Sequence, residues 1–171
     1  MILIFKVTKS SKLQWLQYRI NHYILTTNKY LYKIGIIDSP ICKRCNTDIE
    51  TIEHSLWDCA VVQEFIENFE LFLDDLNIPC LFNKLSFILG LYSNNRLHNI
   101  NKSDNCILML IKYYIYSTRC LSKNLTIQGL IYFIKENFDA MKLAVNHESE
   151  HVKNQFAANW LKWQNLIDVT T

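Results

Sequence analysis

Four residues constrain this chain more than any others. Cys42 and Cys45 are separated by two residues, His54 follows after eight more, and Cys59 after a further four, giving the pattern C-x2-C-x8-H-x4-C. Zinc takes four soft or borderline donors at tetrahedral corners, with sulfur at about 2.3 Å and imidazole nitrogen at about 2.0 Å. A two-residue gap lets one tight turn bring both thiolates to a single ion. A gap of eight is long enough for the chain to return with the second pair, and His54 and Cys59 would then close the site from a short helix and its end. Lys43 and Arg44 lie inside the first turn, where positive charge favours thiolates. Four protein ligands leave no open position for water or substrate, so the pattern predicts one structural Zn2+ and no catalytic metal. The alternative is a set of buried thiols without a metal. The connector from Ile36 to Cys59 has little apolar content of its own, and a bound ion would hold it in place of a core.

The remaining cysteines, Cys80, Cys106 and Cys120, have apolar neighbours and no partner at ligand spacing, so they read as small buried hydrophobes. Met1 to Phe5 is a short apolar run with no basic segment before it and no small-residue cleavage site, unlike a signal peptide. The longest apolar stretch, Cys106 to Tyr116, is broken by Lys112 and falls short of the roughly 20 residues that span a bilayer. The expectation is a soluble intracellular protein with reduced cysteines and no membrane partner. Lys43-Arg44 alone is no nuclear import signal, and the sequence does not choose between nucleus and cytoplasm.

With 3 Gly and 2 Pro among 171 residues, half of them apolar, an all-α fold is favoured over a turn-rich sandwich or barrel. Leu13, Leu16, Ile20, Tyr23 and Ile24 fall on one helical face, predicting a helix over 11–25 that Ser10 or Ser11 can cap. Thr27 can cap a shorter helix through Ile34, ended by a left-handed Gly35. An amphipathic helix with an acidic outer face is predicted from Ala60 to Asn77, stopped by Pro79. Further helices are predicted from Ser103 or Asp104 to about Cys120, over 126–144 and over 148–167. The Asn-rich stretch 83–102 reads as a linker. The resulting organisation is a small zinc-stabilised helical module over 1–82 and a C-terminal helical bundle over 103–171.

Charge is distributed in blocks. Residues 1–45 sum to +7, residues 46–79 to −9 and the remainder to +4, for +2 overall. The basic block is interleaved with Trp15, Tyr18, Tyr23, Tyr30 and Tyr32, and Lys12, Trp15 and Arg19 share a helix face. Cations for phosphates and aromatic faces for unpaired bases are what an RNA or single-stranded nucleic-acid surface uses. Lys12, Trp15, Arg19, Lys29, Lys33, Lys43 and Arg44 are its candidate residues. Two other readings stand beside it. The acidic block can dock on the basic one within the fold, with Trp15 and Tyr23 in the core. Alternatively, the acidic helix 60–77 can be the face of a zinc-stabilised protein-interaction module.

The run Leu13-Gln14-Trp15-Leu16-Gln17-Tyr18-Arg19-Ile20-Asn21-His22, with Thr27-Asn28-Lys29, Gly35-Ile36, Ser39-Pro40, Cys42, Cys45, Glu50-Thr51-Ile52-Glu53-His54, Trp57 and Cys59, resembles a known family. It is similar to the zinc-binding region at the C-terminal end of LINE-type (non-LTR) retrotransposon reverse transcriptases. There, a basic Trp-containing helix and a Thr-Asn segment leading to a Gly precede a C-x2-C, and Glu-His followed by Cys completes the motif. The match runs from about Lys6 to Phe69 and is looser beyond. The resemblance implies that Cys42, Cys45, His54 and Cys59 are the ligands. It further implies that the domain helps a polymerase hold RNA template or target DNA, in contact with the rest of a reverse transcriptase. Nothing here resembles the polymerase fingers, palm and thumb or the endonuclease, so the implied chain is a non-catalytic tail of a larger protein.

Two further motifs have catalytic look-alikes. Phe72-Leu73-Asp74-Asp75 is similar to the paired carboxylates of a polymerase palm, but it ends an amphipathic helix and lacks a third carboxylate from a distant strand. His147-Glu148-Ser149-Glu150-His151 fits the H-E-x-x-H of zinc metalloproteases, yet it lies in a polar stretch with no further His downstream. A solvated turn is the simpler reading, and no catalytic residue is assigned.

Overall fold

The computed structural model describes residues 7–79, 83–90 and 102–169. Among them the chain is all α-helical with no β-strand. The helices are α1 (Ser11–Asn21), α2 (Asn28–Lys33), α3 (Ala60–Asp75), α4 (Lys84–Leu89), α5 (Lys102–Cys120), α6 (Ile127–Val145), α7 (Glu150–Trp160) and α8 (Gln164–Ile167). A π-helical turn, His54–Asp58, precedes α3, and a 3-10 turn, Leu161–Trp163, joins α7 to α8. No helix among the described residues is long and apolar enough to cross a membrane.

Local chemistry sets most boundaries. The Thr27 side chain accepts from the Tyr30 N–H and starts α2, and Thr126 accepts from the Gly129 N–H and starts α6. Ser10 occupies the cap position of α1 without a side-chain cap bond, its own N–H being taken by Thr8 Oγ1 at 3.1 Å. α1 ends at Asn21, short of the expected residue 25, because Tyr23 turns left-handed at φ 56°. The acidic helix likewise ends before Pro79. Asn77 adopts φ 55° and donates to the Asp74 carbonyl at 2.9 Å, a left-handed helix end that makes the proline redundant. The expected final helix over 148–167 is broken by the 3-10 turn.

α5 is the axis of the fold. It packs against α1, the π turn, α6 and α7, and most of its residues are buried. One apolar core runs from Leu13 and Leu16 of α1 through Phe65 and Phe69 of α3 to Trp160, Trp163 and Ile167 near the C-terminus. Within the stretch assigned to a linker, residues 84–89 are helical. Asn83 and Ser86 form a reciprocal capping box, and Phe87 is fully buried with its ring 5.1 Å from Trp57. Polarity masked this short helix, since Asn serves here as a cap and not as loop filler. Residues 91–101 of that stretch, with His98, and Cys80 lie outside the described residues.

Lys112 does not interrupt α5. Its ammonium is buried among α1 and α4, where it donates to Gln17 Oε1 and to the Ile88 carbonyl at 3.2 Å. Gln17 Nε2 also donates to the Ile88 carbonyl, at 2.9 Å, so three helices share one polar node inside the apolar core.

Candidate metal centre

Each half of the C-x2-C-x8-H-x4-C pattern folds into its own turn. Ile41 and Ile49 form an isolated antiparallel bridge, and the Cys42 N–H donates to the Asp48 carbonyl at 2.8 Å, closing a loop around the first pair. Asn46, at φ 59°, reverses the chain directly after Cys45, and its N–H donates to the Cys42 carbonyl at 2.9 Å. The second pair uses the π turn. On a regular α-helix, residues five apart point about 140° away from each other. Widening the turn lets the Cys59 N–H reach the His54 carbonyl at 3.0 Å and carries both side chains to the same side.

The ligand atoms of Cys42, Cys45, His54 and Cys59 all lie within 4.8 Å of one another. Cys42 Sγ is 3.9 Å from Cys59 Sγ, and Cys45 Sγ is 3.4 Å from His54 Nε2. Corners of a tetrahedron with the metal–ligand lengths given above are about 3.5–3.8 Å apart. The four side chains therefore fit one metal ion, and they are the only such group among the described residues.

The surroundings act in opposite directions on the two thiols of the first pair. Burial pushes the Cys42 thiol up to about 12, against the N–H groups of Cys45 and Arg44 that point at its sulfur, so a thiolate there calls for a cation. Burial also raises Cys45. The Thr47 hydroxyl at 3.2 Å, the N–H groups of Thr47 and Asp48, and His54 outweigh it and bring that thiol down to about 6. Cys59 occupies the N-cap position of α3 and is fully buried.

A buried polar network ties this loop to the helices. Glu50, only 1% exposed, accepts from the Asn28 N–H at 2.7 Å and pairs with Arg119 of α5. Arg119 also donates to Asn28 Oδ1 at 3.0 Å and to the Thr26 carbonyl at 2.9 Å, while Asn28 Nδ2 donates to the Ile41 carbonyl at 2.6 Å. Sequence reading missed Glu50, Arg119 and Lys112 as determinants. Their partners lie far along the chain, and no local pattern marks an inward charge.

Of the candidate nucleic-acid residues, Lys12, Trp15, Arg19, Lys29, Lys33 and Lys43 are exposed. Arg44 is the exception. Its guanidinium turns inward and donates to the Ile115 carbonyl and to Thr118 Oγ1, each at 2.7 Å. Trp15 (59% exposed) and Tyr23 (71%) are outside the core, contrary to the reading that buried them. Among the described residues, no ion pair joins an acid of α3 to the basic block, whereas Glu50 of the acidic block accepts from the Asn28 N–H and lies close enough to Arg44 to favour its charge.

Cys106 is buried, whereas Cys120 is exposed at the end of α5 because that helix emerges from the core there. The H-E-x-x-H residues do not share a helix. His147 lies in the turn after α6, Ser149 occupies the N-cap position of α7 without a side-chain cap bond, His151 is on α7, and Glu148 faces Lys9 at 3.7 Å. Without a common helix the two imidazoles lack the i, i+4 relation that a protease zinc site needs. Asp74 and Asp75 are exposed at the end of α3, and no third carboxylate is gathered to them among the described residues.

No protein-family model matches this sequence, and no curated protein matches it.

Proposed function

We propose that this chain is a zinc-stabilised, non-catalytic module that binds RNA or single-stranded nucleic acid. The donor set of three cysteine sulfurs and one imidazole is the one zinc takes in structural sites, and it leaves no coordination position for a reactant. The observation that carries the binding reading is a set of exposed cations in the first 45 residues. Lys12, Arg19, Lys29, Lys33 and Lys43 are all exposed, and none forms an ion pair among the described residues. Trp15, Tyr23, Tyr30 and Tyr32 are exposed in the same block. In this reading the metal holds the loop of Lys43 beside α1 and α2, and the resemblance to the tail of a non-LTR retrotransposon reverse transcriptase gives RNA template or target DNA as the partner.

Salt tests it. If five cations each neutralise one phosphate, the logarithm of affinity for a single strand falls with the logarithm of salt with a slope of about −3.5. That is a loss of about 100-fold between 50 and 200 mM salt. Absence of binding to RNA and DNA at low salt contradicts the reading.

A second reading rests on α3, where Val61 and Leu71 are exposed among Glu64, Glu67 and Asp74. That face suits a protein partner docked through apolar contacts. An apolar protein contact changes little with salt, which separates the two readings.

A further inference from the structure

We propose that the groove between α1 and α5 seats one unpaired nucleobase with its flanking phosphates, so that the protein selects single strands over duplexes. The proposal rests on the nucleic-acid reading above and assigns the site responsible for strand selection. The groove has a volume of about 350 Å³ and is lined by Lys12, Trp15, Leu16, Arg19, Tyr113 and Tyr116. Three of these six are aromatic, two are cationic and none is acidic.

The geometry separates the roles. Trp15 is largely exposed, yet its ring is braced by Tyr18 in an edge-on contact at 5.5 Å. Tyr113 and Tyr116, one helical turn apart on α5, are half-buried, and Tyr113 stacks on Phe133 of α6 with the rings 6° from parallel. The exposed Trp15 ring is the surface on which any base can stack, and Tyr113 and Tyr116, the latter with the Arg119 guanidinium 5.9 Å from its ring centroid, line the groove beside it. Lys12 Nζ lies 5.4 Å from the centroids of both Tyr113 and Phe133, which holds that ammonium at one end. Arg19, seven residues along the same helix face, stands about 10 Å further on. A stacking platform with a cation at either end matches a base with a phosphate on each side.

Duplex nucleic acid keeps its bases paired and stacked, so it meets the cations but cannot fill the slot. A proline-rich or other apolar peptide would stack on the rings but leave Lys12 and Arg19 without counter-charge. Charge therefore favours the anionic occupant.

The test uses the full chain with zinc and a mixed-sequence RNA oligonucleotide of roughly 10 nucleotides, alongside the same phosphates without bases and a duplex of equal length. Trp15→Ala is expected to weaken single-strand binding by roughly 5- to 100-fold, and Trp15→Phe to restore most of it. Duplex binding should stay within about twofold, and the abasic strand should bind wild type no better than the Trp15→Ala protein binds RNA. Circular dichroism and zinc content establish that each variant is folded. Equal losses on single strand and duplex, or unchanged RNA binding by Trp15→Ala while Lys29→Ala with Lys33→Ala weakens it, overturn the groove and leave the broader reading standing. Loss of all nucleic-acid binding at low salt, or occupation of the groove by a proline-rich peptide alone, overturns both.

Discussion

Arg119, in the last turn of α5, closes an ion pair on Glu50, which lies in the loop between the two halves of the metal site. The pair is buried, and Asn28 completes it by donating its N–H to Glu50 and accepting from Arg119. This network fastens the loop to α2 and α5 independently of a metal held by the four candidate ligands. Removing one partner of a buried pair leaves an uncompensated charge and costs about 3–5 kcal/mol. Glu50→Ala should lower the unfolding free energy in urea by about that much. Glu50→Ala combined with Arg119→Met should lower it by less, because no charge is then stranded.

Arg44 and Lys43 are neighbours with opposite assignments. Arg44 reaches inward to Ile115 and Thr118, whereas Lys43 faces solvent. Losing charge-assisted hydrogen bonds of this kind costs about 1.5–3 kcal/mol each. Arg44→Ala should therefore destabilise the protein while leaving RNA affinity within about twofold at a temperature where it stays folded. Lys43→Ala should do the reverse, leaving urea unfolding unchanged and reducing RNA affinity and its salt slope by about one phosphate contact.

Lys112 gives stability a pH dependence with a definite sign. Burial brings its ammonium from 10.5 down to about 7 in the folded chain. Between those values the unfolded chain binds the extra proton and the folded chain does not. Stability from this group therefore rises as pH rises from about 7 towards 10.5 and is flat below about 7. Lys112→Met removes the proton and should remove this contribution to the slope. Urea unfolding of both proteins at several pH values isolates it, because the other titrating groups are common to both.

The sequence made elements legible where a local rule operates. Thr27 marks a helix start by what a hydroxyl does at a cap, Gly35 at φ 74° marks a helix end, and apolar periodicity locates α3, α5 and α6. The four candidate ligands were legible because tetrahedral coordination restricts spacing. What one helix does to another was not. Arg44 and its acceptor Ile115 are 71 residues apart, and Lys112 and Gln17 are 95 apart. Periodicity reports which face is apolar and not which partner covers it, so an arginine beside two cysteines reads as a surface cation until α5 is placed against it. The π turn was equally hidden, since H-x4-C suits either a helix end or a widened turn.

Elemental analysis of the purified protein tests most directly the proposal that Cys42, Cys45, His54 and Cys59 hold one structural zinc. The expected result is one zinc per chain in the wild type. Cys42→Ser with Cys59→Ser should lose both the zinc and the folded circular dichroism signal, while His147→Ala with His151→Ala should keep both. Zinc retained by the cysteine variant and lost from the histidine variant, or a folded wild type with no bound metal, would contradict the account.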